Sequence, residues 1–336
     1  MTELLVHLAW VVASLVVLSA GAELLVRGSV SLAERLRVSS FVIGLTVVGF
    51  GTSTPELFTS IAAALRDSPD LAVGNVVGSN IFNVAFILGF TALIVPIPCD
   101  YRGMRTELVW TVVAALAVFV ALATGGWLGR VPGALFLLAL ALYIGRAFRK
   151  GRRDAEEHAG RDVGHVLGLD HGPWGIASGL AFVATGLVLL VFGANLLVGS
   201  AIDLARDLGV SELAIALTVV AGGTSAPELF SSLIAGLRRQ PELAVGNILG
   251  SNVFNILGIL GSAAVITPQK VHAQVFGLDA PVMLAVSLLL FPLVRSQARI
   301  ARVEGLLLLV LYVAYTWTLF TWAPGWFGAR VGAVGD

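Results

Sequence analysis

The chain has 336 residues and a formal net charge of zero; 57% of its residues are hydrophobic and only 12% are charged. Soluble domains usually carry about 25% charged residues, so this composition excludes an ordinary soluble protein and predicts one that crosses a membrane several times. The single cysteine excludes an internal disulfide, and the five histidines show no metal-ligand spacing within an apolar segment, which argues against a zinc site. The sequence has no basic stripe away from the predicted membrane loops, so nucleic acid is not expected as a partner.

Ten apolar segments follow one another along the chain, most of them near the length of about 20 residues that a membrane-spanning helix needs. The predicted fold class is therefore all-α, with ten transmembrane helices. The second, third, seventh and eighth segments carry polar residues at mid-length and are predicted to be broken helices. The segments cover residues 5–26, 39–65, 71–94, 107–124, 131–148, 175–201, 211–236, 242–266, 277–294 and 304–323.

The first segment resembles a cleavable signal peptide because the small residues Ala20, Gly21 and Ala22 lie near its end. Its start carries Glu3 and no lysine or arginine, whereas a signal peptide begins with a positively charged region. A matching stretch, Val183–Ala194, lies in mid-chain. We therefore expect residues 5–26 to form the first membrane helix, with Glu23 near its end as a structural residue rather than an ion ligand.

The sequence Gly-Thr-Ser-x-Pro-Glu occurs twice, as Gly51–Glu56 and as Gly223–Glu228, 172 positions apart. The proline of each copy interrupts the helical hydrogen bonds and frees carbonyl oxygens at membrane depth. A glutamate there is costly unless its charge is compensated, so it indicates function. The alternative for one copy alone is a proline kink whose glutamate bonds a neighbouring helix. Two apposed carboxylates would repel until a proton or cation binds, which favours a shared cation site.

A second motif also occurs twice, as Gly74–Asn83 and as Gly246–Asn255. Ser79 and Asn83 are four residues apart and therefore share a helix face. They are candidate oxygen ligands, with interhelical hydrogen bonding as the alternative. Asn75 and Asn80 point elsewhere and are expected to bond neighbouring helices.

The two motifs belong to a longer internal repeat. Residues 41–89 align with residues 213–261 without a gap and share 30 of 49 positions. Five helices in each half is an odd number, so the second half is predicted to insert upside down relative to the first. The predicted divisions are a first five-helix repeat over residues 1–148, a linker over 149–173 and a second five-helix repeat over 174–336.

The lysines and arginines predict the orientation in the membrane. With the mixed-charge linker in the cytoplasm, 16 of the 21 lysines and arginines lie on the cytoplasmic side, as the positive-inside rule requires. Both termini would then lie outside. The linker is expected to be a solvated connection between the halves.

With these residues the chain resembles the cation/Ca²⁺ exchanger superfamily, specifically its prokaryotic members similar to sodium/calcium exchangers. The resemblance covers nearly the whole chain: ten helices, two inverted repeats and both motifs. It implies an antiporter in a prokaryotic plasma membrane that exchanges Ca²⁺ for Na⁺ by alternating access. Ca²⁺ and Na⁺ would be its substrates and the lipid bilayer its surroundings. Neither a cofactor nor an obligatory protein partner is implied.

The resemblance also implies the ion ligands. Glu56 and Glu228 would be shared by Ca²⁺ and Na⁺, the two threonines would supply carbonyl and hydroxyl oxygens, and the serines would complete flanking Na⁺ sites. Asn83 and Asn255 would lie in the central layer, and the carbonyls three residues before each threonine would help to form the outer Na⁺ sites. The complete candidate set is Glu56, Glu228, Thr52, Thr224, Ser53, Ser225, Ser79, Ser251, Asn83, Asn255, Gly49 and Ala221.

Asn255 departs from many members of the superfamily, K⁺-dependent ones included, which carry aspartate there. This predicts transport without K⁺. The Thr-Ser-x-Pro-Glu pattern favours Na⁺ coupling, with an H⁺-coupled divalent cation exchanger as the alternative. A cation channel uses similar oxygens, but inverted repeats with broken helices are more typical of a carrier. An intramembrane enzyme would need a nucleophile and a base, and no histidine or cysteine lies deep enough in an apolar segment of this sequence for either role.

Overall fold

The computed structural model describes residues 2–66, 68–123, 127–157, 175–208, 221–270, 275–296 and 298–331. Most of these residues are helical. The α-helices are α1 (Thr2–Leu36), α2 (Ser40–Ile43), α3 (Gly49–Thr52), α4 (Thr54–Leu65), α5 (Pro69–Ile81), α6 (Gly89–Ile94), α7 (Tyr101–Ala123), α8 (Arg130–Glu157), α9 (Gly175–Asp207), α10 (Ala221–Gly223), α11 (Ala226–Leu237), α12 (Pro241–Phe254), α13 (Gly261–Ile266), α14 (Ala280–Ser296) and α15 (Arg302–Val331).

Among the described residues, eight helical stretches are long and apolar enough to cross a membrane. A ninth span is formed if Ser40–Thr52 and Thr54–Leu65, which meet at 47°, count as one bent helix. A helical membrane protein is therefore confirmed. The seventh predicted segment, residues 211–236, is described only from Ala221 onward, so the total of ten helices stays a prediction. The predicted linker, residues 149–173, is likewise described only up to residue 157.

Two of the predicted breaks are wrong. The third and eighth segments are the continuous spans Pro69–Ile94 and Pro241–Ile266. Each contains instead a π-helical stretch, Phe82–Leu88 in the first and Asn255–Leu260 in the second. The difference has a physical cause, because neither span has a proline in its interior, whereas both copies of the Gly-Thr-Ser-x-Pro-Glu motif do. Polar residues alone widen the helix without interrupting it.

Four two-residue strands join connections from the two halves of the chain. Strand β1 (Ile97–Pro98) pairs with β4 (Arg299–Ile300), and β2 (Trp127–Leu128) pairs with β3 (Gln269–Lys270), both antiparallel. Helix α7 separates β1 from β2, so the two ladders lie at opposite ends of the helices. We call the end with β1 and β4 the linker face, because α8 ends there before the linker. The end with β2 and β3 is the opposite face.

Helices α1 and α9 pack against each other as a long antiparallel pair. A Cβ atom added at Gly28 would lie 2.8 Å from the Gly179 carbonyl oxygen, and one at Gly186 would lie 2.6 Å from the Leu25 nitrogen. The backbones therefore touch, as small residues allow in membrane helices. His7 Nδ1 lies 2.8 Å from Asp207 Oδ2 at the far end of the same two helices.

The buried apolar residues divide into two main clusters. The larger one joins α5, α7, α8, α12 and α14 around residues such as Val76, Leu108 and Leu249. The second joins α1 and α9 to α11. The pair α1–α9 therefore packs on a smaller hydrophobic cluster that it shares with α11 and the start of α12, separate from the larger cluster.

Candidate functional site

The prolines place both candidate glutamates in the first turn of a helix. Pro55 is the second residue of α4 and Pro227 is the second residue of α11, each one residue before the glutamate. The residues that precede these helices, Ser53 and Ser225, leave the helical conformation with ψ near 10°. Glu56 and Glu228 are both about 1% exposed. The motif therefore brings each carboxylate to a break in the backbone at the centre of the protein.

The two copies of the motif meet through reciprocal hydrogen bonds. The Ser53 hydroxyl donates to Glu228 Oε1 at 2.9 Å, and the Ser225 hydroxyl donates to Glu56 Oε1, also at 2.9 Å. Each serine thus bonds the glutamate of the other copy. Residues 172 positions apart in sequence form one polar cluster.

The second oxygens of the two carboxylates have a different environment. Glu56 Oε2 and Glu228 Oε2 are buried and accept no hydrogen bond within the described part of the chain. Asn83 Oδ1 and both amide atoms of Asn255 are likewise buried without a hydrogen-bond partner among the described residues. An unsatisfied buried polar atom costs about 1–3 kcal/mol, and a charged one costs more. Four of these atoms are carboxylate or amide oxygens, which are the ligands that Ca²⁺ and other hard cations prefer.

The two π-helical stretches that contain the asparagines pack on the helices that carry the glutamates. The stretch that begins at Asn255 packs on α4, which carries Glu56, while the stretch that contains Asn83 packs on α11, which carries Glu228. Asn83 Nδ2 donates to Asn252 Oδ1 at 3.0 Å, which orients the free Asn83 oxygen. The candidate ligands from the two motifs therefore belong to one arrangement.

The remaining candidates occupy several kinds of position. Ser251 is buried and donates to the Gly49 carbonyl oxygen at 3.0 Å, so it bonds the carbonyl that was expected to serve an ion. The Thr52 hydroxyl lies 3.0 Å from the Val48 carbonyl oxygen and 3.1 Å from Asn247 Oδ1. Ser79 is buried in α5.

Two candidates in the second motif copy have fewer described contacts. Thr224 is half-buried at the break between α10 and α11. Ala221 begins α10, at the edge of the described residues. No ligand role for either follows from the geometry alone.

Two asparagines, Asn247 and Asn252, support the site, although the sequence analysis assigned neither of them a role there. Asn247 Nδ2 lies 3.3 Å from the Glu228 carbonyl oxygen and 2.9 and 2.8 Å from the hydroxyls of Ser231 and Ser232. Its counterpart Asn75 contacts the Glu56 carbonyl oxygen at 3.3 Å and the Ser60 hydroxyl at 2.9 Å. The expected interhelical bonding is thus confirmed for Asn75. Asn75 bonds the helix that carries Glu56, and Asn247 bonds the helix that carries Glu228.

The second supporting residue, Asn252, connects the two copies. Besides accepting from Asn83, it contacts the Asn80 carbonyl oxygen at 3.4 Å through its own Nδ2. Asn80 itself donates to Val76 within its own helix. The repeated Gly-Ser-Asn-x-x-Asn pattern was the available signal for Asn252, but a spacing within one helix does not show a contact between copies.

Glu23 has the structural role expected of it. Its two carboxylate oxygens accept from Arg27 Nε and Arg238 Nε, each at 2.7 Å. Arg238 follows α11, so this ion pair joins α1 to the end of the helix that carries Glu228.

Comparison with known proteins places this arrangement in a family. The family model described as sodium/calcium exchanger protein matches residues 6–149 and again residues 178–321. The chain belongs to the sodium/calcium exchanger family. The two matches start 172 positions apart and also end 172 positions apart. This is the same displacement as that between the two copies of each motif.

Individual relatives extend over nearly the full length. The chain is 37% identical over 322 residues to a putative antiporter, CaxA, from Alkalimonas amylolytica, covering 95% of this chain and all of that one. It is 31% identical to the sodium/calcium exchanger MaX1 from Methanosarcina acetivorans, covering 91% and 96%. Among solved structures, the sodium–calcium exchanger NCX_Mj matches with a TM-score of 0.79 and 29% identity, covering 94% and 99%.

Proposed function

We propose that this protein is an antiporter that exchanges Ca²⁺ for Na⁺ across the membrane by alternating access, with Glu56 and Glu228 as the shared ligands. The observation that carries the proposal is the pair of buried carboxylates, each with one oxygen fixed by a serine of the other copy and one without a partner. A divalent cation, or the Na⁺ ions that replace it, would satisfy those oxygens.

Coupling follows from the cost of the unbound site. Two buried carboxylates without a counter-ion are too costly to carry through an occluded state from which water is excluded. The carrier would therefore change its access only when Ca²⁺ or Na⁺ neutralises them. The solved relative NCX_Mj, described as a sodium–calcium exchanger and soaked with both ions, supports Na⁺ as the partner ion.

The other candidates would serve around this pair. Asn83 and Asn255 would supply neutral oxygens to the central layer, and because Asn255 adds no charge, transport would need no K⁺. Ser53, Ser225, Ser79 and Ser251 would flank it with Thr52, Thr224 and the carbonyls of Gly49 and Ala221. The linker would lie in the cytoplasm and both termini outside, in the plasma membrane.

The test is ⁴⁵Ca²⁺ uptake into proteoliposomes with Na⁺, H⁺ and K⁺ gradients imposed separately. We expect uptake with an outward Na⁺ gradient alone, and we expect Glu56→Gln and Glu228→Gln each to abolish it. Glu34→Gln is the matched control, because Glu34 is an exposed residue of α1. All three variants should elute as folded protein in gel filtration.

The outcomes separate the alternatives. Uptake driven by H⁺ but not Na⁺ would identify an H⁺-coupled exchanger with the same site. A strict need for K⁺ would show that Asn255 was misinterpreted. Flux without any counter-ion would indicate a channel, and substantial uptake by either glutamine variant would exclude the shared site.

A further inference from the structure

A groove of about 790 Å³ runs between α7 and α8 towards the linker face. One part of the groove is apolar and is lined by Trp110, Ala141 and Leu142. Its end is basic, with Arg146, Arg149, Lys150 and Arg153. The groove lies apart from the carboxylate cluster, since none of the candidate ion ligands lines it.

The basic residues follow the apolar ones along one face of α8. Leu142, Arg146, Arg149 and Arg153 recur at intervals of three or four residues, which places them above one another on a helix. The membrane-spanning part of α8 ends at Gly151. The apolar part of the groove therefore lies at the depth of lipid tails, and the charges lie where lipid headgroups begin.

The charge at the end of the groove is only partly neutralised. Lys150 is paired with the buried carboxylate of Glu107 at 3.1 Å and also contacts the Gly103 carbonyl oxygen. Arg146 and Arg149 are exposed, and neither forms an ion pair within the described ranges of the chain. Two guanidinium groups are thus available for an anion, and guanidinium binds phosphate with paired hydrogen bonds.

We propose that this groove binds an anionic phospholipid, with an acyl chain against Trp110 and Leu142 and the headgroup phosphate at Arg146 and Arg149. Basic pockets between membrane helices are known to suit such headgroups. The proposal does not depend on the ion that the protein transports. It requires only that α7 and α8 lie in the membrane as the spans indicate.

Native mass spectrometry of the purified full chain tests the proposal. Phosphatidylglycerol and phosphatidylcholine with identical acyl chains are added at equal concentration to the wild type and to an Arg146→Gln/Arg149→Gln variant. We expect the wild type to retain phosphatidylglycerol in preference, and the variant to bind it more weakly by on the order of tenfold. Melting curves in phosphatidylcholine show whether the variant is folded.

The matched control is Arg37→Gln/Arg299→Gln, which removes two exposed arginines from the same face outside the groove. It should retain phosphatidylglycerol like the wild type. Equal retention of the two lipids by the wild type, or equal loss in both double variants, would overturn the proposal. So would displacement of the lipid by inorganic phosphate at comparable concentration, because the site would then recognise phosphate without the acyl chain.

Discussion

Helices α4 and α11 are equivalent by the sequence repeat, but their surroundings differ. Ala226, at the start of α11, is 3% exposed and packs in the cluster that contains α1, as does Phe230 one turn later. The equivalent residue of α4, Thr54, is only half-buried, and Phe58 is 68% exposed. Helix α1 covers α11, whereas α9 leaves much of α4 uncovered.

The uncovered side contains a groove that reaches the first motif. It encloses about 610 Å³ and is lined by Gly51 and Thr54 on one wall and by Leu187, Val191 and Asn195 of α9 on the other. On the covered side, Glu23, the counterpart of Asn195, is bonded to Arg238. Helices with similar sequences thus occupy unlike surroundings, and the difference lies mainly in how the α1–α9 pair packs against the other helices.

This difference is what the proposed alternating access would require of a repeat protein. If both halves had the same surroundings, the site would be open to both faces or to neither. Two of the sequence differences between the copies, Glu23 against Asn195 and Ala226 against Thr54, are located where the two halves differ in structure. Under the proposed mechanism these positions would influence how firmly the covered side is held.

The largest expected effect is on chemical accessibility. We expect Thr54→Cys to react with a charged thiol reagent about a hundredfold faster than Ala226→Cys, equivalent to about 2.8 kcal/mol. Native Cys99 is a slow background because burial raises the pKa of its thiol to about 12, and the thiolate is the reactive form. Labelling is followed by mass spectrometry in detergent, where reagent reaches both faces. Equal rates, or faster labelling at position 226, would contradict the comparison.

A smaller effect is expected on stability. Ala226→Leu inserts three carbon atoms beneath α1, and overpacking of this kind costs about 1–3 kcal/mol. Thr54→Leu, the matched substitution in the other copy, faces the groove and should change the melting temperature little. Thermal unfolding in the same detergent measures both. A larger loss in Thr54→Leu would show that α4 is the more tightly covered helix.

The smallest effect concerns the ion pair that joins α1 to the end of α11. Glu23→Gln should lower the free energy of unfolding by about 0.2–1 kcal/mol, because Arg238 is half exposed and such pairs are weak. A double-mutant cycle with Arg238→Gln isolates this pair from the one with Arg27. A coupling energy of zero would mean that the contact does not hold α1.

The sequence predicted those features that depend on local chemistry. Composition specified a helical membrane protein, the prolines located the breaks before Glu56 and Glu228, and the repeated motifs pointed to the family. The structure then placed the two glutamates in one hydrogen-bonded cluster, although their role as ligands remains a prediction.

Other features depend on distant contacts and could not be predicted in this way. Arg238, one of the two partners of Glu23, is 215 residues away, and nothing in either local sequence singles it out. The π-helical stretches replaced predicted breaks because polar residues alone do not stop a helix. Aligning the two repeats cannot predict that α11 is more buried than α4. The difference arises because α1 and α9 pack together and cover the two helices unequally.

The two short ladders have a consequence for how the chain is assembled. Ile97 pairs with Ile300, and Trp127 pairs with Lys270. Strands of the first half can therefore pair only after much of the second half has been synthesised. Synthesis delivers the N-terminal half first, and pairings over such separations form slowly. The connections around α7 therefore cannot reach their final form during translation of the first half. Pairing of these strands is therefore a late step in folding that needs both halves of the chain.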